Sequence, residues 1–135
     1  MFYEFAITVA KDTAQSSPKK QDLHLAKGII HRIELQFPIG CAGLAHVRLR
    51  HHSFGQLPTN PSGSFASDGY PIPIDENLEF FSEPYIIKAI LWNDDDTYAH
   101  TITIRVGILE SKTALFFMSV LKGLSKMLKL MGIKV

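Results

Sequence analysis

The sequence lacks the features that mark a disulfide-rich or a membrane-spanning protein. Its single cysteine, Cys41, cannot form a disulfide within the chain, which is typical of proteins assembled in a reducing compartment. The longest uncharged stretch near the C-terminus, residues 113–121, is about half of what a transmembrane helix requires. The first ten residues carry acidic Glu4 and no basic leader, so we expect no signal peptide.

Residues that would indicate catalysis or metal binding are not grouped. The sequence contains no Gly-x-Ser-x-Gly motif and no glycine-rich phosphate loop that opens a helix. Cys41 lies between Gly40 and Ala42, and no helix follows it to activate the thiol, so we expect a small buried residue at a strand entry. The six histidines include no His-x-His pair, and one cysteine cannot build a structural zinc site. We therefore predict no enzyme activity, no catalytic residues, no cofactor and no metal site.

Proline and acidic residues are missing from the C-terminal segment. All seven prolines lie at or before Pro84, and residues 111–135 contain five lysines and no Asp or Glu. Residues 1–110 carry nine Lys/Arg against thirteen Asp/Glu, so the net charge is −4 there and +5 in residues 111–135. This break predicts a domain of residues 1–110 followed by a basic attachment segment of residues 111–135.

The first 110 residues have the alternation of apolar and polar side chains that is typical of half-buried β-strands. The pattern is clear in residues 3–9, 29–37, 45–49 and 100–108, where aromatic and branched side chains recur at every second position. We expect about seven or eight short strands at hairpin spacing and no helix before residue 111. The predicted fold is all-β, a single antiparallel, jelly-roll-like β-sandwich with a C-terminal amphipathic α-helix.

Residues 53–73 form a long stretch rich in proline and glycine. Such a stretch inside a small domain is typical of a functional or interface segment. Because it also contains large apolar side chains, we predict that four of them lie at an interface: Phe54, Leu57, Phe65 and Tyr70.

The C-terminal segment has the pattern of an amphipathic helix, with lysines on one side and apolar residues on the other. Residues 114–118 are apolar all round, so we expect the start of the helix to be buried on every side, and Gly132 is a candidate C-terminal cap. The predicted interface residues are Leu115, Phe116, Phe117, Val120, Leu121, Leu124, Met127, Leu128 and Met131.

Three interpretations of this helix remain open. It could lie on an anionic membrane, pack against other copies or another protein, or fold back over an edge of its own sandwich. The apolar turn at residues 114–118 favours burial in protein.

Two clusters of charged residues have both a functional and a structural interpretation. His46, Arg48, Arg50 and His52 share one side of a strand and form a candidate anion patch, or a solvated face. Aromatic platforms of single-strand binders are missing nearby, so no specific nucleic acid is predicted. The run Asp94–Asp96 could bind a cation with Asp68, Asp75 and Glu76, but a hydrogen-bonded hairpin turn is favoured.

Three stretches resemble a group of small uncharacterised β-sandwich proteins encoded among phage and virus structural genes. They are residues 36–48 (QFPIGCAGLAHVR), 58–63 (PTNPSG) and 92–101 (WNDDDTYAHT). The resemblance covers residues 3–110 and implies a virion component built on a small jelly roll. It carries over no catalytic residues.

We therefore expect a structural subunit, such as a capsid or accessory virion protein in a particle assembled in the host cytoplasm. Its expected partners are other copies of itself and further assembly subunits, with membrane contact through the C-terminal helix as an open alternative. The competing hypothesis is a peripheral module that binds membrane or glycan.

Overall fold

The computed structural model describes residues 1–52 and 54–132, and within them eight strands precede one helix. The strands are β1 (Phe2–Val9), β2 (Lys19–His24), β3 (Gly28–Gln36), β4 (Ala45–His51), β5 (Gly55–Leu57), β6 (Ile72–Phe80), β7 (Ile86–Asn93) and β8 (His100–Glu110). The helix, α1, spans Ser111–Leu130. Strand β8 therefore passes into α1 without a linker.

The strands form two four-stranded antiparallel sheets. The first sheet has the order β1-β8-β3-β6 and the second has the order β2-β7-β4-β5. The first strand pairs with the last, the second with the seventh, the third with the sixth and the fourth with the fifth. The predicted all-β sandwich with a C-terminal helix is confirmed.

The core lies between the inner faces of the two sheets. Each of the central strands contributes alternate side chains to it, because successive residues of a strand point to opposite faces. The largest fully buried side chains include Phe37, Phe80, Ile7, Leu23, Ile33, Leu35, Leu49, Leu91, Ile102 and Ile104. The sandwich thus closes a continuous apolar core from residues 1–110 alone.

Strand β3 departs from the simple alternation of the sequence. Alternation places Ile29 and His31 on the same face as Ile33. A register shift between Ile30 and Arg32 in both of its pairings reverses the faces, so Ile30 is buried while Ile29 and His31 are half-buried. A β-bulge of this kind adds one residue to a strand and is not visible in the hydrophobic pattern.

Two strands begin inside segments whose sequence shows no apolar alternation, residues 11–21 and 53–73. β2 begins at Lys19 and buries Leu23 as its one fully buried side chain, and β6 begins at Ile72. Both are edge strands, so their extended conformation comes from backbone pairing with β7 and β3, respectively. Polar edge strands carry little apolar signal and also discourage edge-to-edge aggregation.

Candidate interaction surfaces

Helix α1 is attached to the sandwich at its N-terminal end. It follows Glu110, which pairs with Gly28 of β3, and its main contacts with the sandwich are with β3 and β8. Gly28 has no room for a side chain, since an added Cβ would lie 2.1 Å from the Leu109 carbonyl oxygen. The helix is therefore anchored where β3 and β8 meet and does not lie along the sandwich.

The apolar face of α1 is exposed. Phe116 and Leu121 keep 66% and 63% of their surface accessible. Leu115, Phe117, Val120, Leu124, Met127, Leu130 and Met131 are also exposed, and Leu128 is half-buried. The expectation that the start of the helix is buried on every side is wrong within a single copy, and the side chain of Ala114 lies outside the described residues. The interpretation in which α1 covers an edge of its own sandwich is also wrong.

The ends of α1 differ in how well they are capped. Glu110, at the N-cap position, makes no side-chain capping hydrogen bond, and no acidic residue lies in the first turn. At the other end, Gly132 has φ +80° and its N–H donates to the Lys129 carbonyl, so the predicted C-terminal cap is confirmed. No helix in the described part of the chain is long and apolar enough to cross a membrane. Lys134 and Ser53 lie outside the described residues.

The predicted interface loop packs largely on its own sandwich. Leu57 is buried in β5, and Phe65 exchanges two backbone hydrogen bonds with Val47, at 2.9 and 3.0 Å. Phe54 is half-buried and stacks on His51. Only Tyr70 among the four predicted residues is highly exposed, at 77%. The apolar side chains of this loop therefore have an intramolecular explanation, and their role at an interface stays a prediction.

The candidate anion patch is divided by the fold. His46 stacks on Trp92 with ring centroids 5.1 Å apart, and its two ring nitrogens lie 2.9 Å from Ser64 Oγ and 3.2 Å from Asp94 Oδ2. The Arg48 guanidinium lies over the Trp92 ring, 5.2 Å from the ring centroid. Its Nε–H donates to the Gly63 carbonyl at 2.8 Å, and its Nη2 is buried without a hydrogen-bond partner among the described residues. These two side chains hold the loop against β7 and are not a free anion patch.

Arg50 and His52 instead line an open hollow of about 650 Å³ on the outer face of the second sheet. Asp22, Lys88, Arg50 and Gln56 are successive cross-strand partners on β2, β7, β4 and β5. The remaining lining residues are His51, Gly55, Pro84 and Ile86. Sequence analysis missed Lys88 and Asp22, because only the strand register brings them beside Arg50.

His51 is the buried member of this hollow. It packs against Phe80, with ring centroids 4.4 Å apart, and its Nε2 lies 3.1 Å from the Pro84 carbonyl oxygen. Burial lowers the pKa of His51, and the neighbouring His52 acts in the same direction. Because its pKa is below the ordinary value, His51 is mainly neutral near pH 7.

The acidic run forms a hydrogen-bonded turn between β7 and β8. The Asp95 N–H donates to Asn93 Oδ1, and Asp95 Oδ1 accepts from the N–H groups of Thr97 and Tyr98. Asp95 Oδ2 lies 2.7 Å from His100 Nε2. These bonds, first those from Thr97 and His100, lower the pKa of Asp95. The turn is hydrogen-bonded as expected, but the expectation of a hairpin is wrong, because β7 and β8 lie in different sheets.

Two of the other carboxylates considered for a cation site are engaged elsewhere. Asp68 Oδ1 accepts from the Gly40 N–H, and Asp75 pairs with Arg32 at 3.0 Å. Within residues 1–52 and 54–132, no three His, Cys, Asp or Glu side chains are placed to hold a metal ion. Cys41 is fully buried, as predicted, and its thiol donates to the Ser67 carbonyl.

Comparison with known proteins gives no family for this chain. It matches no protein-family model and no curated protein sequence. The resemblance to phage and virus sandwich proteins therefore stays a prediction.

Proposed function

We propose that the chain is a structural subunit of a larger assembly and that α1 is its attachment device. The observation that carries this proposal is the continuous apolar face of α1, exposed from Leu115 to Met131 and anchored to the sandwich only at one end. An exposed apolar surface of this kind marks an interaction site.

The stability of α1 gives a second reason. An isolated helix of about 20 residues is marginal in water, and most helical stability in proteins comes from packing of an amphipathic face. This helix also contains Gly123, which lowers helix propensity, and it lacks an N-terminal side-chain cap. A helix with these properties needs a partner surface to remain folded.

The sandwich itself is consistent with such a subunit. The nested pairing of first with last, second with seventh, third with sixth and fourth with fifth strands is the plan of a jelly roll, from which we infer that fold. Jelly rolls serve in viral capsids as well as in lectins and cupins, so the fold alone does not select a function. A capsid or accessory virion protein is the assembly that we propose.

The proposal is tested by changing Leu121, Leu124 and Leu128 to Ser in the full chain. Burying each Leu is worth about 1.5–3 kcal/mol, so we expect the triple variant to lose its association with the assembly partner or membrane. Sedimentation and vesicle co-flotation measure the two associations. The matched control replaces Lys122, Lys126 and Lys129 with Gln on the opposite face. Unchanged association of the Ser variant in both assays would overturn the proposal.

A second candidate function is a peripheral module that binds an acidic glycan in the hollow of the second sheet. The cations of Arg50 and Lys88 suit a carboxylate or sulfate, while Asp22 can accept hydrogen bonds from sugar hydroxyls. Titration with heparin-derived oligosaccharides and with neutral oligosaccharides of the same length tests this function. Arg50→Gln with Lys88→Gln should abolish the difference between the two, whereas equal weak binding of both by the parent chain would exclude it.

A further inference from the structure

The apolar face of α1 has the spacing of a helical bundle. Its central row is Phe117, Leu121, Leu124, Leu128 and Met131, with successive intervals of four, three, four and three residues. This is the a/d spacing of a heptad repeat, with Leu121 and Leu128 at a positions. Any amphipathic helix has a row of this spacing, so the residues beside the row decide what it packs against.

The positions beside this row are uncharged. The g positions are Val120 and Met127, and the e positions are Met118 and Ser125. The lysines of the described helix stand at b and f positions, on the side away from the row: Lys112, Lys122, Lys126 and Lys129. Identical helices can therefore pack along this row without bringing their like charges into the interface.

The width of the face indicates how many helices meet. A strict a/d stripe is the narrow seam of a two-stranded coiled coil, whereas apolar residues at a, d and g positions form the wider face of a helix in a bundle. Val120, Leu121, Leu124 and Met127 all keep at least 43% of their surface accessible in one copy, so the whole width is available. This width matches a bundle of three or more helices.

We infer that the occupant of this face is the same face of other copies, in a bundle of three or more α1 helices. The inference rests on the proposed function and names its partner. Because β8 continues directly into α1, the bundle would hold the sandwiches around one end of a common stem. On the second flank, the e positions hold the small Ser125 and the apolar Met118, which a neighbouring helix can contact.

The test compares two leucines of similar exposure in the full-length chain, one within the a/d row and one outside it. Leu121, at an a position, is 63% exposed, and Leu115, at a b position, is 57% exposed. Glu is a good helix former, so Leu121→Glu and Leu115→Glu change polarity with little change in helix propensity. We expect the parent chain to sediment at three or more times 15.1 kDa. Leu121→Glu should weaken association on the order of 100-fold or more, and Leu115→Glu by only a few-fold.

Circular dichroism and the fluorescence of Trp92 complete the test. Dissociation of Leu121→Glu should reduce the helical signal, because the released helix is marginal alone, while the buried Trp92 signal stays unchanged. Unchanged Trp92 fluorescence establishes that the sandwich remains folded, so the loss cannot be attributed to unfolding.

Three outcomes would overturn the inference: a parent chain of fewer than three copies, a polydisperse mass, or equal sensitivity to the two Glu substitutions. The same experiments test the proposed function separately. A monomeric parent that binds vesicles or another subunit through Leu121 contradicts the bundle but supports attachment by α1. A monomeric chain that binds neither vesicles nor another subunit, with or without the Ser substitutions, contradicts both the bundle and attachment by α1.

Discussion

Residues 1–110 and helix α1 use apolar side chains in opposite ways. In the sandwich, Ile33, Leu35 and Ile104 are completely buried by the chain itself. In α1, side chains of the same type are mostly exposed, and the helix contacts the sandwich near its N-terminal end. A core that the chain itself buries therefore stands beside a helix whose apolar face the chain does not bury. Hydrophobicity alone therefore does not show whether a side chain serves stability or attachment. That depends on whether the surface that buries it belongs to the same chain.

The outer faces of the two sheets show a related contrast. On the first sheet, Arg105 pairs with Glu4 and Glu34, both at 3.0 Å, and Arg32 links Glu34 to Asp75. This row of ion pairs crosses all four strands. On the second sheet, the row through Lys88 and Arg50 contains no ion pair among the described residues. One face is internally neutralised and the other presents its cations to solvent.

The largest expected difference between core and helix comes from replacing one phenylalanine with alanine in each. Phe37→Ala, in the core, should lower the free energy of unfolding by about 3–5 kcal/mol, because it leaves a cavity. Phe117→Ala, in the half-exposed helix row, should change the unfolding of the sandwich by less than about 0.5 kcal/mol. Urea denaturation followed by Trp92 fluorescence measures both values. Equal destabilisation would show that α1 belongs to the folding unit of the sandwich.

Both parts of this contrast are predictable from the sequence, because their signals are local. Period-two alternation identifies strands that bury one face, and the loss of proline and acid after Glu110 identifies the helix. The strand register is not local. The bulge in β3, the start of β6 at Ile72 and the union of Lys88 with Arg50 depend on which strands pair.

The candidate sites show the same limit. His46 and Arg48 form a basic pattern with Arg50 in the sequence, but Trp92 lies opposite His46 in the sheet and draws the first two into an aromatic cluster. The basic pattern is recognisable in the sequence. The sequence does not show that His46 and Arg48 join Trp92 while Arg50 lines the open hollow. Pairing with a distant strand decides which cations remain free.

The next prediction separates apolar from electrostatic attachment. Replacing Lys122, Lys126 and Lys129 with Gln should leave association between copies within a few-fold of the parent, because exposed charges contribute roughly 0–1 kcal/mol each and less in salt. Raising the salt from low ionic strength to about 1 M, where the screening length is about 3 Å, should likewise preserve the oligomer. Sedimentation at both salt concentrations measures this. Dissociation of the parent chain in salt would assign attachment to the lysines instead.

A smaller effect is expected at the turn between β7 and β8. The folded-state pKa of Asp95 is lowered, so the carboxylate stabilises the fold above its ordinary pKa, and this contribution is lost as the pH falls through the folded-state pKa. Asp95→Asn should lower the thermal midpoint at pH 7 and make stability less dependent on pH below about 4. Thermal unfolding between pH 2 and 7 tests this, because that pH range spans the ordinary pKa of an aspartate side chain. Asp96→Asn, in the same turn, is the control that keeps the Asp95–His100 pair. Parallel pH profiles of the parent and Asp95→Asn would contradict the assigned role.

The smallest effect sharpens the contrast between the two outer faces. Glu4 and then Glu34 raise the pKa of Arg105, which is the sign of a guanidinium held between carboxylates. Arg105→Gln leaves these two acids on neighbouring strands without their shared cation, so it should lower the thermal midpoint slightly at low salt. Lys88→Gln removes a cation that lies between Asp22 and Arg50 on neighbouring strands and has no ion pair among the described residues, so the lost attraction and the relieved repulsion should nearly cancel and leave the midpoint unchanged. Differential scanning calorimetry at low salt and at about 1 M salt measures the two variants together, and screening should make their midpoints converge. If Lys88→Gln is instead the more destabilising change and the difference persists in salt, then Lys88 has a structural role and the second sheet does not present a row of free cations.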